Sequence, residues 1–380
     1  MRMDLSYTPD EDAFRLAVRS WVAEHAPAKS DARELEALRA WQQQLYAAGY
    51  LGAGWPAEHG GVALTKIQQA IINEELARAD APAPINAMAI WWVGPAIIQY
   101  GTEEQKRRFL RKILSAEEIW ATGYSEPDSG SDMAAAKTRA ERRGDHYIVT
   151  GQKVWTTIAH LSDWYFVLVR TAQEGPKWAG LTVLLMDLRS PGVDIRPIRQ
   201  ITGDSEFNEV FMHEVAVPVE NRLGAEGQGW EIVTSALINE RSGLAGAIRF
   251  EQSLAQLLAS ARRRDLAQDP VWRQRLAGLA VQAKIAKAAG LRAMTDDLRG
   301  RMNPHLSAGI KLSSTELAQR FSEAAADLLG AGALLWGDDA PDGGRAAYQL
   351  LFGRAMTIAG GTSEVQRNIV AQRILGLPRK

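Results

Sequence analysis

Two short stretches hold most of the side chains that could do chemistry together. The first is Ser125-Glu126-Pro127-Asp128-Ser129-Gly130-Ser131-Asp132, with three hydroxyls, a proline and a glycine in eight residues. Proline fixes φ and glycine opens conformations closed to other residues, so this is a loop that offers hydroxyl and backbone N–H donors to one ligand. The second is Gly151-Gln152-Lys153-Val154-Trp155-Thr156-Thr157, a β-type run ending in an indole and two more hydroxyls. A broad aromatic face beside hydroxyl-rich backbone suits a flat heterocycle with polar edges. Taken singly, the stretches also fit a Ser-rich turn and a core Trp. Other chemistries lose their means. There is no cysteine, so disulfides, thiol catalysis and Cys-bound metals are excluded, and the six histidines show no HExxH spacing. No GxGxxG precedes a helix, so a Rossmann site is not expected.

The elements that must position these stretches fall into three parts. Phe14, Ala17, Val18, Trp21 and Val22, then Leu35, Leu38, Trp41 and Leu45, recur at helical spacing. A loop with Pro56 and Gly60-Gly61 follows, then a helix over about 64–79 that ends before Pro82 and Pro84. The apolar run Ala87–Tyr100 is interrupted by Gly94, Pro95 and Gln99 and is too short to cross a bilayer. Residues 103–114 read as a surface helix, with Lys106, Arg107, Arg108, Arg111 and Lys112 as a solvated basic face. From about residue 121 the pattern changes to short β-branched or aromatic runs: 146–149, 164–169, 181–186 and 210–212. Helical spacing returns after Gly224, Gly227 and Gly229, with Leu317, Phe321, Ala324, Ala325, Leu328 and Leu329 as one apolar stripe. A chain of 380 residues with 46% hydrophobic and 23% charged residues can bury a large core. Its net charge of −1 gives no electrostatic footprint for nucleic acid or membrane. The start of the chain leads into an acidic stretch rather than an apolar signal core, so a soluble cytoplasmic protein is the expectation.

With these motifs in this order, the chain resembles the acyl-CoA dehydrogenase family of flavoproteins over nearly its whole length. The resemblance is carried by Glu126-Pro127 with Gly130-Ser131-Asp132, by Gly151-Gln152-Lys153 with Trp155-Thr156-Thr157, and by Gly361-Thr362-Ser363-Glu364-Val365-Gln366-Arg367. Gly101-Thr102-Glu103-Glu104-Gln105-Lys106 adds to it. It implies an α+β fold: an N-terminal helical domain over 1–120, a central antiparallel β domain over 121–225 and a C-terminal helical bundle over 226–380. It also implies FAD as cofactor, an acyl-CoA substrate, an electron-transfer flavoprotein as acceptor, and a tetramer of identical chains or with an unlike subunit. Ser125, Gly130, Ser131, Trp155, Thr157, Thr362 and Glu364 match flavin-contacting positions, with Glu364 in place of a frequent Gln. Ser131 and Arg241 match positions near the thioester ligand. Trp91 and Trp92 match the border of the acyl pocket, though such Trp pairs are more often core. An Arg-x-x-Phe-Gly motif of many relatives, which reaches a neighbouring subunit's FAD, is missing around Arg262-Arg263-Arg264 and Arg273.

The implied reaction removes a proton and a hydride from adjacent carbons of an acyl thioester. It needs a carboxylate base and donors on the thioester carbonyl, but no metal. Many relatives place the base just before the Gly-Thr of the C-terminal motif, and here that residue is Gly360. Its N–H remains available to polarise the carbonyl. A second family solution puts the base after the β domain, one residue before an Arg, and Leu237-Ile238-Asn239-Glu240-Arg241 matches it. Glu240 is therefore the expected base, as in isovaleryl-CoA, long-chain and some bacterial steroid side-chain dehydrogenases. Two alternatives stay open: a supporting subunit of a heteromeric dehydrogenase, and an oxygen-using flavin monooxygenase or oxidase on the same fold.

Overall fold

The computed structural model describes residues 7–28, 34–238, 243–301, 303 and 305–378. Helices come first: α1 (Pro9–His25), α2 (Leu35–Ala47), α3 (Lys66–Arg78), α4 (Gly94–Tyr100) and α5 (Glu103–Leu114). The strands are β1 (Trp120–Gly123), β2 (Arg139–Arg143), β3 (His146–Thr157), β4 (Trp164–Arg170), β5 (Leu181–Asp187), β6 (Val193–Ile198), β7 (Phe207–Pro218) and β8 (Arg222–Leu223). Helices then return: α6 (Gly229–Ile238), α7 (Gly243–Arg263), α8 (Pro270–Leu298), α9 (Leu306–Leu329), α10 (Arg345–Met356) and α11 (Ser363–Ile369). The order of helices, sheet and helices is the one expected. Contacts gather the chain into two compact units: Met1–Glu24, Lys66–Ala81 and Arg241–Lys380 in a helical unit, His25–Thr65 and Pro82–Glu240 in a sheet unit.

The sheet runs β6-β7-β3-β2-β4-β5-β8, with β1 also paired to β4. Most pairings are antiparallel, but β4 lies parallel to both β1 and β2. Its first six residues, Trp164–Val169, are all buried, which explains why this strand reads as an unbroken apolar run rather than an alternation. Around it pack Tyr147, Val149, Leu184, Met186, Val210 and Met212. The strand β3 is irregular. Its register against β7 shifts twice, between Val149 and Gly151 and between Lys153 and Thr156. Such bulges bend a strand and re-aim its side chains.

The Gly101–Lys106 motif has a structural task. Thr102 accepts the Gln105 N–H, and the Gln105 side chain returns the bond to Thr102 N, a capping box that starts α5. The Gln105 amide also donates to Glu220 and Arg222 carbonyls at 2.7 and 2.9 Å, tying α5 to the end of the sheet. The basic face of α5 is largely paired on the spot: Lys106 with Glu103, Arg107 with Glu104, Lys112 with Glu118. Arg108 instead lies over the Phe109 and Trp164 rings, 4.8 Å from each centroid.

In the helical unit α7, α8 and α9 bury Phe250, Leu257, Leu276, Leu279, Leu317, Phe321 and Leu328 together, so the predicted stripe on α9 faces its core. Asp269 caps α8 by accepting the Val271 and Trp272 N–H groups, with Pro270 at its first position. In the same unit α1 and α3 are joined by Arg19, which donates to both oxygens of the buried Glu75 at 2.7 and 2.9 Å.

Candidate functional site

The loop after β1 is folded by its own backbone and locked by one buried ion pair. Glu126 and Ser129 exchange both backbone hydrogen bonds at 3.0 Å across Pro127 and Asp128, and the Ser129 hydroxyl donates to the Asp132 carbonyl at 2.7 Å. The Glu126 carboxylate turns inward. It accepts Lys137 N at 2.6 Å, Thr138 N at 2.8 Å and Lys153 Nζ at 2.9 Å. Lys153 sits on β3 with its side chain fully buried, and its Nζ also donates to the Tyr124 carbonyl at 3.1 Å. Burial pushes the Lys153 ammonium down to about 8, against the upward pull of Glu126. Burial opposes the Glu126 charge too, but the Lys153 charge and the hydrogen bonds from Lys153, Thr138 and Lys137 outweigh it and hold the carboxyl below its ordinary value. Val154 N donates to Ser125 O at 3.0 Å, so loop and strand are also joined through backbone. At the far end, Lys177 grips both Asp132 oxygens at 2.8 and 2.6 Å. The two stretches that stood out in the sequence are thus brought together. The Glu126–Lys153 pair joins them, one residue from each stretch, and residue type alone does not signal it.

This frame leaves the candidate ligand groups outward. Gly130 and Ser131 are exposed, and a Cβ added at Gly130 would meet nothing within 4 Å. Trp155 lies in the second bulge with φ +61°, left-handed backbone that an aromatic residue seldom adopts. Its side chain is held out from the strand: the residue is 59% exposed, with the Phe207 ring edge-on at 6.3 Å. Thr156 next to it is buried, and its hydroxyl pairs with the Tyr165 hydroxyl at 2.8 Å. Thr157, half-buried, continues the ladder opposite Phe207 after Thr156 resumes it opposite Asn208. Gly151 is required by crowding, since a Cβ there would fall 2.5 Å from Thr138 Oγ1 and 2.7 Å from Thr138 Cα. An exposed indole face, flanked by a serine loop and a threonine, is what a planar ring with polar edges needs.

In the helical unit, Gly360 and Gly361 both have positive φ, +65° and +97°. Thr362 then caps α11 by accepting Val365 N at 3.2 Å. The turn is held from two sides: Gln366 Nε2 donates to Gly360 O at 2.9 Å and Lys311 Nζ to Gly361 O at 2.7 Å. Glu364 is exposed, 3.5 Å from Arg367. Beside this turn runs a polar groove of about 430 Å³ lined by Glu316, Arg320, Glu323, Thr362, Glu364 and Arg367. Glu240 and Arg241 lie outside the described residues. In the sheet unit, Trp91 and Trp92 fall on a π-helical turn, Ala89–Val93, where Trp91 is 44% exposed and Trp92 half-buried. Among the described residues no group of acidic and histidine side chains could hold a metal, and no helix is long and apolar enough to cross a membrane.

Three family models match in succession: the acyl-CoA dehydrogenase N-terminal domain over residues 8–117, the middle domain over 121–215 and the C-terminal domain over 227–375. The acyl-CoA dehydrogenase IpdE1 of Mycobacterium tuberculosis is 41% identical over an alignment 390 positions long, covering 98% of this chain and 99% of its own. Among solved structures, the Tcur3481-Tcur3483 steroid ACAD superposes with a TM-score of 0.90 at 28% identity, over 100% of both chains. The ChsE4-ChsE5 complex of Mycobacterium tuberculosis does so with a TM-score of 0.86 at 32% identity, again over 100% of both. With its loop, bulged strand and C-terminal turn inside consecutive matches that span nearly the whole chain, this protein belongs to the acyl-CoA dehydrogenase family, oxidoreductases that act on acyl-CoA.

Proposed function

We propose that this chain is an FAD-dependent acyl-CoA dehydrogenase that forms a 2-enoyl-CoA and passes electrons to an electron-transfer flavoprotein in the cytoplasm. The observation that carries the reading is Trp155, an aromatic face held outward on a strained bulge beside the Ser125–Asp132 loop. FAD, when bound, supplies the hydride acceptor. Trp155 would cover the ring, while Ser125, Ser131, Thr157 and the open backbone at Gly130 would meet its polar edge. Thr362 and Glu364 are the proposed contacts from the C-terminal motif. Glu364 as a carboxylate only accepts hydrogen bonds, so it suits hydroxyl or amino groups and not phosphate. The base is Glu240, which takes the proton next to the thioester carbonyl. The Gly360 N–H polarises that carbonyl, and Ser131 and Arg241 bind the thioester ligand. Within this reading the chain divides at 1–120, 121–225 and 226–380.

A tetramer, of identical chains or with an unlike partner, belongs to the same proposal. The unlike partner draws support from two similar structures, Tcur3481-Tcur3483 and the ChsE4-ChsE5 complex, each named for two chains. The supporting-subunit reading draws on the missing Arg-x-x-Phe-Gly motif around Arg262-Arg263-Arg264 and Arg273. An oxygen-using enzyme on this fold is separated by measuring oxygen consumption against reduction of a dye acceptor. The purified protein, with any co-purifying chain, is expected to be yellow with non-covalent FAD, and Trp155→Ala to retain less of it. A folded, colourless protein that takes up no FAD when supplied contradicts the proposal.

A further inference from the structure

We propose that Asn208 is a positioning residue for the flavin: its side-chain amide clamps the bulge and thereby sets the direction of Trp155 and Thr157. Asn208 on β7 is completely buried. Its Nδ2 donates to the Thr156 carbonyl at 2.9 Å and to the Glu206 carbonyl at 3.0 Å, and its Oδ1 pairs with His160 Nδ1 at 3.0 Å. One side chain therefore links the residue that ends the bulge, the start of β7 and, through the His160 ring, the short turn at Ala159–Leu161. Ile158 N closes the same frame by donating to Glu206 O at 2.7 Å.

The bulge needs such a clamp. Trp155 and Ile158 both hold left-handed φ, +61° and +51°, and neither is glycine. Strained backbone of this kind persists only where its surroundings over-determine it. In a strand, side chains alternate faces, so one residue gained or lost in the bulge reverses which side Trp155 takes relative to its neighbours. Thr156 closes the bulge, where the ladder resumes opposite Asn208, and the Asn208 amide reaches its carbonyl from β7. The Thr156–Tyr165 hydroxyl pair fixes the same residue through its side chain. Asn208 is buried in the sheet and acts through Trp155 and Thr157.

The inference rests on the flavin reading for its consequence, but not for its geometry, and the test separates the two. Asn208→Asp keeps the volume and removes both N–H donations, setting a carboxylate against two carbonyls. His160→Ala removes the outer partner at an exposed position, and serves if the first variant does not fold. Protein labelled with fluorotryptophan is followed by fluorine NMR, with the Trp155 signal assigned from Trp155→Phe. The Trp155 signal is expected to shift or broaden in the variants while Trp41, in the core, stays in place. In FAD-loaded samples the flavin fluorescence should rise, and reduction by substrate should slow by about tenfold or more without a matching loss of substrate binding. A variant that lowers only melting temperature, with the Trp155 signal, flavin spectrum and reduction rate of the parent, overturns the clamp. A shifted Trp155 signal in a protein that never binds FAD upholds the clamp and defeats the flavin reading.

Discussion

Replacing Glu126 by Gln removes the charge that joins the two candidate binding stretches while keeping the side chain's shape. Three bonds reach this carboxylate: Lys137 N, Thr138 N and Lys153 Nζ, at 2.6, 2.8 and 2.9 Å. A hydrogen bond to a charged group contributes roughly 1 kcal/mol more than its neutral counterpart, and Gln can accept at only one of its two atoms. Those losses amount to roughly 2 kcal/mol. Lys153, with its value near 8, limits its own penalty: at pH 7 it sheds its proton for about 1 kcal/mol rather than remain buried and unpaired. The sum, about 3 kcal/mol, falls at the lower edge of what breaking a buried pair costs, and is a large part of the stability of a typical domain. Urea unfolding of apo-protein at pH 7 measures it. Lys153→Met is expected to cost a similar amount, and the double variant less than the sum of the two, because neither partner is then left buried alone. Both single variants should also bind FAD more weakly, since the Ser125–Asp132 loop loses its anchor. A loss under about 1 kcal/mol for Glu126→Gln, additive with Lys153→Met, would show that the two side chains are not coupled as a buried pair.

Other outcomes follow from the same geometry. The Glu126 contribution has a fixed sign with pH: its folded value lies below the ordinary 4.5, so the stability it adds is present above pH 4.5 and fades as pH falls through the folded value. The gap between parent and Glu126→Gln in urea midpoint should therefore shrink on acidification from pH 7. Lys153 acts in the other window, where the unfolded chain holds its proton more tightly, so its contribution improves as pH rises from about 8 towards 10.5. Trp155→Gly should change stability by less than about 1 kcal/mol, because relief of the left-handed backbone offsets the lost Phe207 contact and the added chain entropy. Its FAD retention should nonetheless fall, and a calorimetric scan beside an absorbance ratio distinguishes the two effects. Gly151→Ala should be far more damaging than a typical surface change, since the new methyl group meets Thr138 backbone at 2.7 Å. A melting temperature equal to the parent's would show that the strand yields there.

Much of this arrangement could be read from residue types alone. Apolar runs marked β4 and β5, helical spacing marked the α9 stripe, and the two hydroxyl-rich stretches did meet in space. What escaped detection has physical causes. The strand β2, Arg139-Ala140-Glu141-Arg142-Arg143, is mostly exposed and sends a single apolar residue, Ala140, into the core. With only four residues, β1 is too short for a period to show, and its parallel pairing with β4 departs from the all-antiparallel expectation. Nothing in the local sequence marks Lys153 as buried. Its inward direction depends on the bulges, which are a property of pairing with β7 and not of local sequence. The left-handed backbone at Trp155 was hidden for the same reason, and so was the clamp at Asn208. Gly360 was noted for the base it lacks, and the structure adds that its φ of +65° disfavours any side chain there.

In the proposed function, a carboxylate at position 240 drives flavin-linked dehydrogenation of a CoA thioester. Anaerobic mixing of the FAD-loaded protein with short, branched, long, aromatic and steroid acyl-CoA thioesters, following loss of flavin absorbance, tests it most directly. At least one thioester is expected to bleach the parent, and Glu240→Gln to keep its FAD and thioester binding but be reduced about 10²–10⁴ times more slowly. An FAD-replete parent, with any co-purified partner, that no thioester bleaches would contradict it, as would a Glu240→Gln variant reduced as fast as the parent.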